Sequence, residues 1–125
     1  MRSQSVTGTQ TIMLAALLAS GRTVIKNAAL EPEIPHLATF LNKCGAKISG
    51  AGTPTITITG GRVLLAFGNT YKTPPDRIET GSFLILGVLA AKNLTITDCQ
   101  PQDLEVIIQT LRLISSSKIT TTKNT

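Results

Sequence analysis

Apolar residues along this chain fall into two helical runs with matching surroundings. The first covers residues 9–20 and the second residues 79–91, and each has Thr or an acidic residue near its start. A short β-favouring run follows each one. Thr23-Val24-Ile25 lies in residues 22–27, and Leu94-Thr95-Ile96 in residues 93–98. Pro32 and Pro101 then open a second helix in each half, where the missing N–H is harmless. Ile34, Leu37 and Leu41 share one face of that helix, as do Leu104, Ile107, Ile108 and Leu111 in the later half. Gly45 is placed to end the earlier helix as a left-handed residue, while Ser116 is a weaker stop. Three strand candidates come next: residues 46–49, the alternating Thr/Ile run 55–59, and residues 62–67 after a Gly60-Gly61 turn.

Shifting the sequence by 71 residues superimposes the halves. Thr9 meets Thr80, Leu18 meets Leu89, Ile25 meets Ile96 and Ile48 meets Ile119, while Leu37 and Phe40 fall on Ile108 and Leu111. Such periodicity marks a duplicated supersecondary unit. The fold class expected is therefore α/β (α+β) built from βαβαββ units. Residues 1–75 form a first unit with its hairpin and residues 76–125 a second, truncated one, together part of one globular domain. The second copy reaches Thr125 where its hairpin should begin, and the first lacks a strand before Thr9, as in a piece of a longer repeat protein. A partial repeat exposes apolar surface where further units dock, so self-association through the repeat edges is expected.

Composition narrows the functional classes. A chain of 125 residues buries roughly two thirds of its unfolded surface, enough for a real core. Its longest apolar run, residues 83–91, falls well short of the roughly 20 residues of a membrane span. Arg2 and the apolar run of residues 12–19 imitate a signal peptide, but a matching run recurs internally. Both are read as buried helices, and the protein as cytoplasmic. The net charge of +5 comes from scattered residues, and the only aromatics are Phe40, Phe67, Tyr71 and Phe83. That excludes a base-stacking nucleic-acid surface and suits a small anionic ligand. Cys44 and Cys99 lack metal-type spacing and read as small buried residues in a reducing compartment, with a disulfide left open.

Several segments resemble the UDP-N-acetylglucosamine 1-carboxyvinyltransferase family of enolpyruvyl transferases. They are Ser5-Val6-Thr7-Gly8-Thr9, the run from Asn27 through Glu31-Pro32-Glu33 to Ile34, the run from Phe40 through Gly45 to Thr53, and Pro75-Asp76-Arg77-Ile78-Glu79-Thr80-Gly81-Ser82-Phe83. The resemblance covers residues 5–118. It implies an inside-out α/β prism, with helices inside and sheets outside, of which this chain is an incomplete part. It also implies a reaction: enolpyruvyl passes from phosphoenolpyruvate to the 3′-hydroxyl of UDP-N-acetylglucosamine in peptidoglycan synthesis. No metal or organic cofactor is implied, and neither a nucleic acid nor a membrane is a partner.

The resemblance also implies site residues. Ser5, Val6 and Thr7 match the loop that contacts the uridine diphosphate. Glu31 matches an active-site carboxylate. Asp76 and Glu79 match catalytic carboxylates near the reacting sugar and phosphoenolpyruvate, with Arg77 binding substrate between them. Without the motif, Asp76 reads as a helix cap and Glu79 as its capping-box partner. Glu33 reads as a surface or capping residue and His36 as a surface residue, and no catalytic role falls on either cysteine. Leu30 stands where the family has Arg, Pro54 where it has Asp, and residues 113–117 replace an acidic, Ala/Gly-rich turn. The family's Lys-Asn pair, its Cys loop and its second domain match nothing in this sequence. The expectation is a part of the enzyme that is inactive alone. The alternative is a non-catalytic α/β domain with at most weak UDP-sugar binding.

Overall fold

The computed structural model describes every residue except Arg62, Ala66, Phe67, Asn69 and residues 123–125. The chain divides into two compact units, Met1–Lys72 and Thr73–Thr125.

In the first unit, helix α1 spans Val6–Leu18. Ser5 starts it by turning extended and accepting the Gly8 N–H on its Oγ at 3.0 Å. Thr9, Met13, Ala16 and Leu17 are buried, the stripe that one helix face presents to a core. Strand β1 (Arg22–Lys26) follows, then helix α2 (Glu33–Lys43) with Pro32 at its N-cap. Helix α2 ends as the glycine predicts. Gly45 sits at φ 95°, its N–H reaches the Asn42 carbonyl, and the Ala46 N–H reaches that of Leu41. This pair of bonds is the Schellman closure.

Strands β2 (Lys47–Ser49) and β3 (Thr55–Thr59) complete a three-stranded antiparallel sheet of order β1-β3-β2. The register sets Ile25 opposite Ile56 and Ile48 opposite Ile58. These four isoleucines are buried, while Thr55, Thr59, Lys26 and Lys47 face outward. One sheet face thus closes on α1 and α2 with Met13, Leu17, Ile34, Ala38 and Leu41 between them. Gly60 makes this closure possible. A Cβ there would lie 2.1 Å from the carbonyl oxygens of both Ala16 and Ala19.

The second unit holds helix α3 (Arg77–Ala90), a 3-10 turn (Pro101–Leu104) and helix α4 (Glu105–Ile114). Thr80, Gly81, Leu104, Ile108 and Leu111 are buried.

Several expectations are corrected. Residues 93–98 form no strand. Strand β1 exists because β3 pairs with it, and the described residues of the second unit give 93–98 no such partner. Of the candidate strand 62–67, Arg62, Ala66 and Phe67 lie outside the described residues, and Val63, Leu64 and Leu65 carry no strand. Pro101 opens a 3-10 turn rather than an α-helix. The buried positions Ile34, Ala38 and Leu41 of the first unit correspond to Leu104, Ile108 and Leu111. That offset is 70, so the second helices are one residue out of the ungapped pairing, and Ala38 takes the place expected for Leu37. Cys44 is buried, Cys99 only half-buried, and both are free thiols. Among the described residues, no helix is long and apolar enough to cross a membrane.

Candidate functional site

The two clusters of expected site residues occupy the same place in their units: the start of the first helix. Ser5 caps α1 and Asp76 caps α3, 71 positions later.

In the first unit, Ser5 and Thr7 are exposed and Val6 is half-buried. The Ser5 hydroxyl satisfies the Gly8 amide, and the N–H groups of Val6 and Thr7 lie in the first turn, which a helix leaves unpaired. Glu31 is brought to the same end. Gln4 Nε2 donates to the Ala28 carbonyl at 3.2 Å, and the Ala29 N–H donates to the buried Thr9 Oγ1 at 3.0 Å. These two bonds pin the segment entering α2 against the start of α1. Glu31 itself is half-buried, and its carbonyl accepts the Ile34 N–H at 2.9 Å. Glu33, expected at the surface or as a capping residue, is half-buried and opens α2 as the acidic residue of its first turn, next to the buried Ile34.

In the second unit, Asp76 Oδ1 accepts the N–H groups of Ile78 at 2.8 Å and Glu79 at 3.0 Å. Both bonds use one carboxylate oxygen. Arg77 is half-buried, and Glu79 is exposed in the first turn. Among the described residues no hydrogen bond ties the Glu79 carboxylate back to Asp76, so the capping box is not closed and Glu79 keeps its acceptor atoms. The Thr80 hydroxyl donates to the Asp76 carbonyl at 2.7 Å and fixes that carbonyl instead. Asp76, Arg77 and Glu79 therefore form one cluster, and Ser5, Val6, Thr7 and Glu31 another. Each belongs to its own unit.

One group in the first unit carries no signal in the local sequence. The Tyr71 hydroxyl donates to the His36 carbonyl at 3.1 Å and stands 3.4 Å from His36 Nδ1. Its ring lies 5.4 Å from that of Phe40, and Lys43 Nζ sits 5.4 Å from the Tyr71 ring centroid. His36, read as a surface residue, is half-buried because Tyr71 lies against it. His36, Phe40 and Lys43 share one face of α2 by spacing, but nothing in the local pattern points to a tyrosine 35 residues on. Among the described residues no group of three or more His, Cys, Asp or Glu is placed to hold a metal ion.

Comparison with known proteins settles the lineage. The sequence profile of EPSP synthase (3-phosphoshikimate 1-carboxyvinyltransferase) matches residues 1–125. The chain belongs to the EPSP synthase family. Among its curated relatives are proteins named UDP-N-acetylglucosamine 1-carboxyvinyltransferase. That of Aeromonas hydrophila is 52% identical over 104 residues, 83% of this chain and 24% of the relative. That of Aeromonas salmonicida is 51% identical over 104 residues, with the same coverage of 83% and 24%. That of Proteus mirabilis is 49% identical over 112 residues, 90% of this chain and 26% of the relative. The chain thus spans about a quarter of the length of these enolpyruvyl transferases.

Within this member of the EPSP synthase family, two of the three departures from the expected motifs, Leu30 and Pro54, lie beside the Glu31 segment. Leu30 is exposed, immediately before Glu31. Pro54 leads into β3, and its carbonyl accepts the Ala28 N–H at 3.0 Å, which ties the β3 entry to the Glu31 segment. Proline leaves that carbonyl available and loses only an N–H that the strand does not use.

Proposed function

We propose that this chain is part of a UDP-N-acetylglucosamine 1-carboxyvinyltransferase of the peptidoglycan pathway, working in the cytoplasm. The observation that carries the reading is the pair of equivalent helix starts. One offers open backbone N–H groups beside a hydroxyl, and the other offers Asp76, Arg77 and Glu79 within one turn. The roughly 50% identity to relatives of that name supports it.

The reaction makes three demands. The 3′-hydroxyl of the sugar must lose a proton as its oxygen bonds to C2 of phosphoenolpyruvate, while C3 gains a proton. The resulting tetrahedral intermediate then loses phosphate and returns the C3 proton, restoring the enol ether. Phosphate and carboxylate groups must be held by donors throughout. In this reading the open N–H groups of Val6 and Thr7, with the Ser5 hydroxyl, receive the uridine diphosphate. Asp76 and Glu79 orient the sugar and exchange protons, Arg77 holds an anionic oxygen, and Glu31 supplies a further active-site carboxylate. The net charge of +5 suits two anionic substrates. No metal or organic cofactor enters the chemistry.

With about a quarter of the relatives' length, the chain turns nothing over alone and acts together with the remainder of the enzyme. A phosphate-release assay with both substrates tests this, and turnover above background by the isolated chain refutes it. The second reading, a non-catalytic α/β domain, rests on the same short length. Titration with UDP-N-acetylglucosamine to millimolar concentration tests the residual binding that either reading allows: amide shifts at Ser5–Gly8 and near Glu31 support it, and their absence refutes it.

A further inference from the structure

The net charge of +5 is not shared between the units. Met1–Lys72 holds seven of the 12 Lys and Arg residues but only two of the seven Asp and Glu residues. That unit therefore carries the whole excess, and Thr73–Thr125 balances to zero. Its two acidic residues, Glu31 and Glu33, both stand at the entry to α2.

Three of its cations share the outer face of the sheet. The register sets Arg22 and Lys47 on either side of Thr59, Val24 and Ser49 on either side of Thr57, and Lys26 beside Thr55. Directly opposed residues of an antiparallel sheet point to the same side. Ile25, Ile48, Ile56 and Ile58 fill the other side, in the core. The outer face is thus three rows: Arg22-Thr59-Lys47, Val24-Thr57-Ser49 and Lys26-Thr55. Arg22, Lys26 and Lys47 are exposed, and no row holds a carboxylate. Val24, 45% exposed, is the one apolar side chain on the face.

Spacing gives these positions a pattern. Alternate residues of a strand recur about 6.7 Å apart, so Arg22, Val24 and Lys26 form a cation-apolar-cation line about 13 Å long on β1. Lys47 stands two strand spacings, about 10 Å, from Arg22. Guarding a sheet edge requires charge on the edge strands, but of either sign. Here every charge is positive, and the Thr and Ser hydroxyls between them can donate to the same anions. A second extended chain laid along β1 has the same repeat. Acidic, apolar and acidic side chains at its alternate positions would meet Arg22, Val24 and Lys26 one to one.

We infer that this face docks an extended acidic segment of a separate protein, of the pattern acid-x-apolar-x-acid, lying face-on along β1. Arg22 grips one carboxylate through its paired N–H groups, Lys26 pairs with the other, and Val24 receives the apolar side chain between them. Lys47 and the Thr57 and Thr59 hydroxyls serve acidic residues that lie further across the sheet. A second copy of this chain cannot be the source, because no two of its seven acidic residues are four positions apart. The face has no aromatic ring for a nucleic acid to stack on, and a single apolar side chain is too little to enter a bilayer. It shares no residue with the catalytic reading.

The test titrates the full chain with the acetylated, amidated peptide Thr-Glu-Thr-Val-Thr-Glu-Thr and follows amide shifts. Shifts are expected at Arg22–Lys26 and Thr55–Thr59 and not at Ser5–Gly8. Affinity should fall about ten-fold or more as NaCl rises from about 0.05 to about 0.5 M. The peptide with Gln in place of both Glu residues should not bind. The charge exchange is decisive: a chain carrying Arg22→Glu and Lys26→Glu should lose the Glu peptide and gain Thr-Lys-Thr-Val-Thr-Lys-Thr, a rescue that a misfolded variant cannot give. The milder Arg22→Gln should by itself weaken the Glu peptide about two-fold or more. No shift at millimolar peptide, equal binding of the Gln peptide, unchanged affinity in Arg22→Gln, or no rescue in a variant whose amide spectrum stays native would each overturn the proposal. Phosphatidylserine vesicles or oligothymidine that displace the peptide from these amides at a lower concentration of charge overturn it too, in favour of that polyanion.

Discussion

Thr9 offers the sharpest test of how the first unit is held together. It is fully buried, and its Oγ1 accepts the equally buried Ala29 N–H at 3.0 Å. Thr9→Val keeps the shape and replaces the acceptor with a methyl group. The orphaned N–H then costs about 1–3 kcal/mol, because no water reaches it. The added methyl returns about 0.8 kcal/mol of apolar burial. The net loss is about 0.2–2 kcal/mol, which for a cooperative unit of 60–100 residues lowers Tm by roughly 1–16 °C. Thr9→Ser loses a methyl but keeps the acceptor, so its stability loss can be of similar size and melting alone does not separate the two. Exchange of the Ala29 amide does: it should accelerate in the valine variant relative to its neighbours and keep pace with them in the serine variant. Equal Ala29 protection in wild type and Thr9→Val would refute the argument, since the hydroxyl would then not be what holds the Glu31 segment to α1.

Further outcomes follow from other contacts. Gly60→Ala should cost at least about 3 kcal/mol in a denaturant melt, because its Cβ would meet two carbonyl oxygens at 2.1 Å and backbone cannot step aside cheaply. Asp76→Ala should lose about 0.5–2 kcal/mol through the missing cap, whereas Asp76→Asn should stay within a few tenths, as read by urea midpoints. Asn42→Leu removes both bonds to Ile48 and should cost about 1–3 kcal/mol, with β2 amides exchanging faster than those of β1. Tyr71→Phe should cost about 0.5–1.5 kcal/mol for the lost bond to the His36 carbonyl and leave the ring contact with Phe40 intact, so Tyr71→Ala should be the more damaging change in the same melt.

Much of the first unit was legible because local signals and packing agree there. The Thr-Ile alternation of residues 55–59 needs one apolar sheet face, and the sheet supplies it with Ile56 and Ile58 buried. Gly45 was legible because only a left-handed residue closes α2 in that way. Residues 93–98 were misread for the opposite reason. Leu94-Thr95-Ile96 has strand chemistry, but a strand is a relation between segments, and propensity cannot report that the partner is absent. The one-residue slip between α2 and α4 was hidden because Leu and Ile fill the helix densely enough to match at either offset. At the candidate site, Ser5 and Asp76 were legible as caps from residue type and position. Gln4, Thr9 and Tyr71 were not, since each acts on a segment 20 or more residues away.

Under the proposed function, the equivalent helix starts would serve two chemical tasks. The first turn of α1 and that of α3 are the same structural position, and each needs a side-chain acceptor to start its helix. Serine meets that need without charge and leaves room for an anion beside the open N–H groups. Aspartate meets it with one oxygen, and its two cap bonds fix the side-chain rotamer at no expense to the second oxygen. A carboxylate placed to move a proton must be held still, and capping holds Asp76 still before any substrate arrives. Structural and proposed catalytic roles of Asp76 are therefore not rivals: the bonds that begin the helix would also aim the carboxylate.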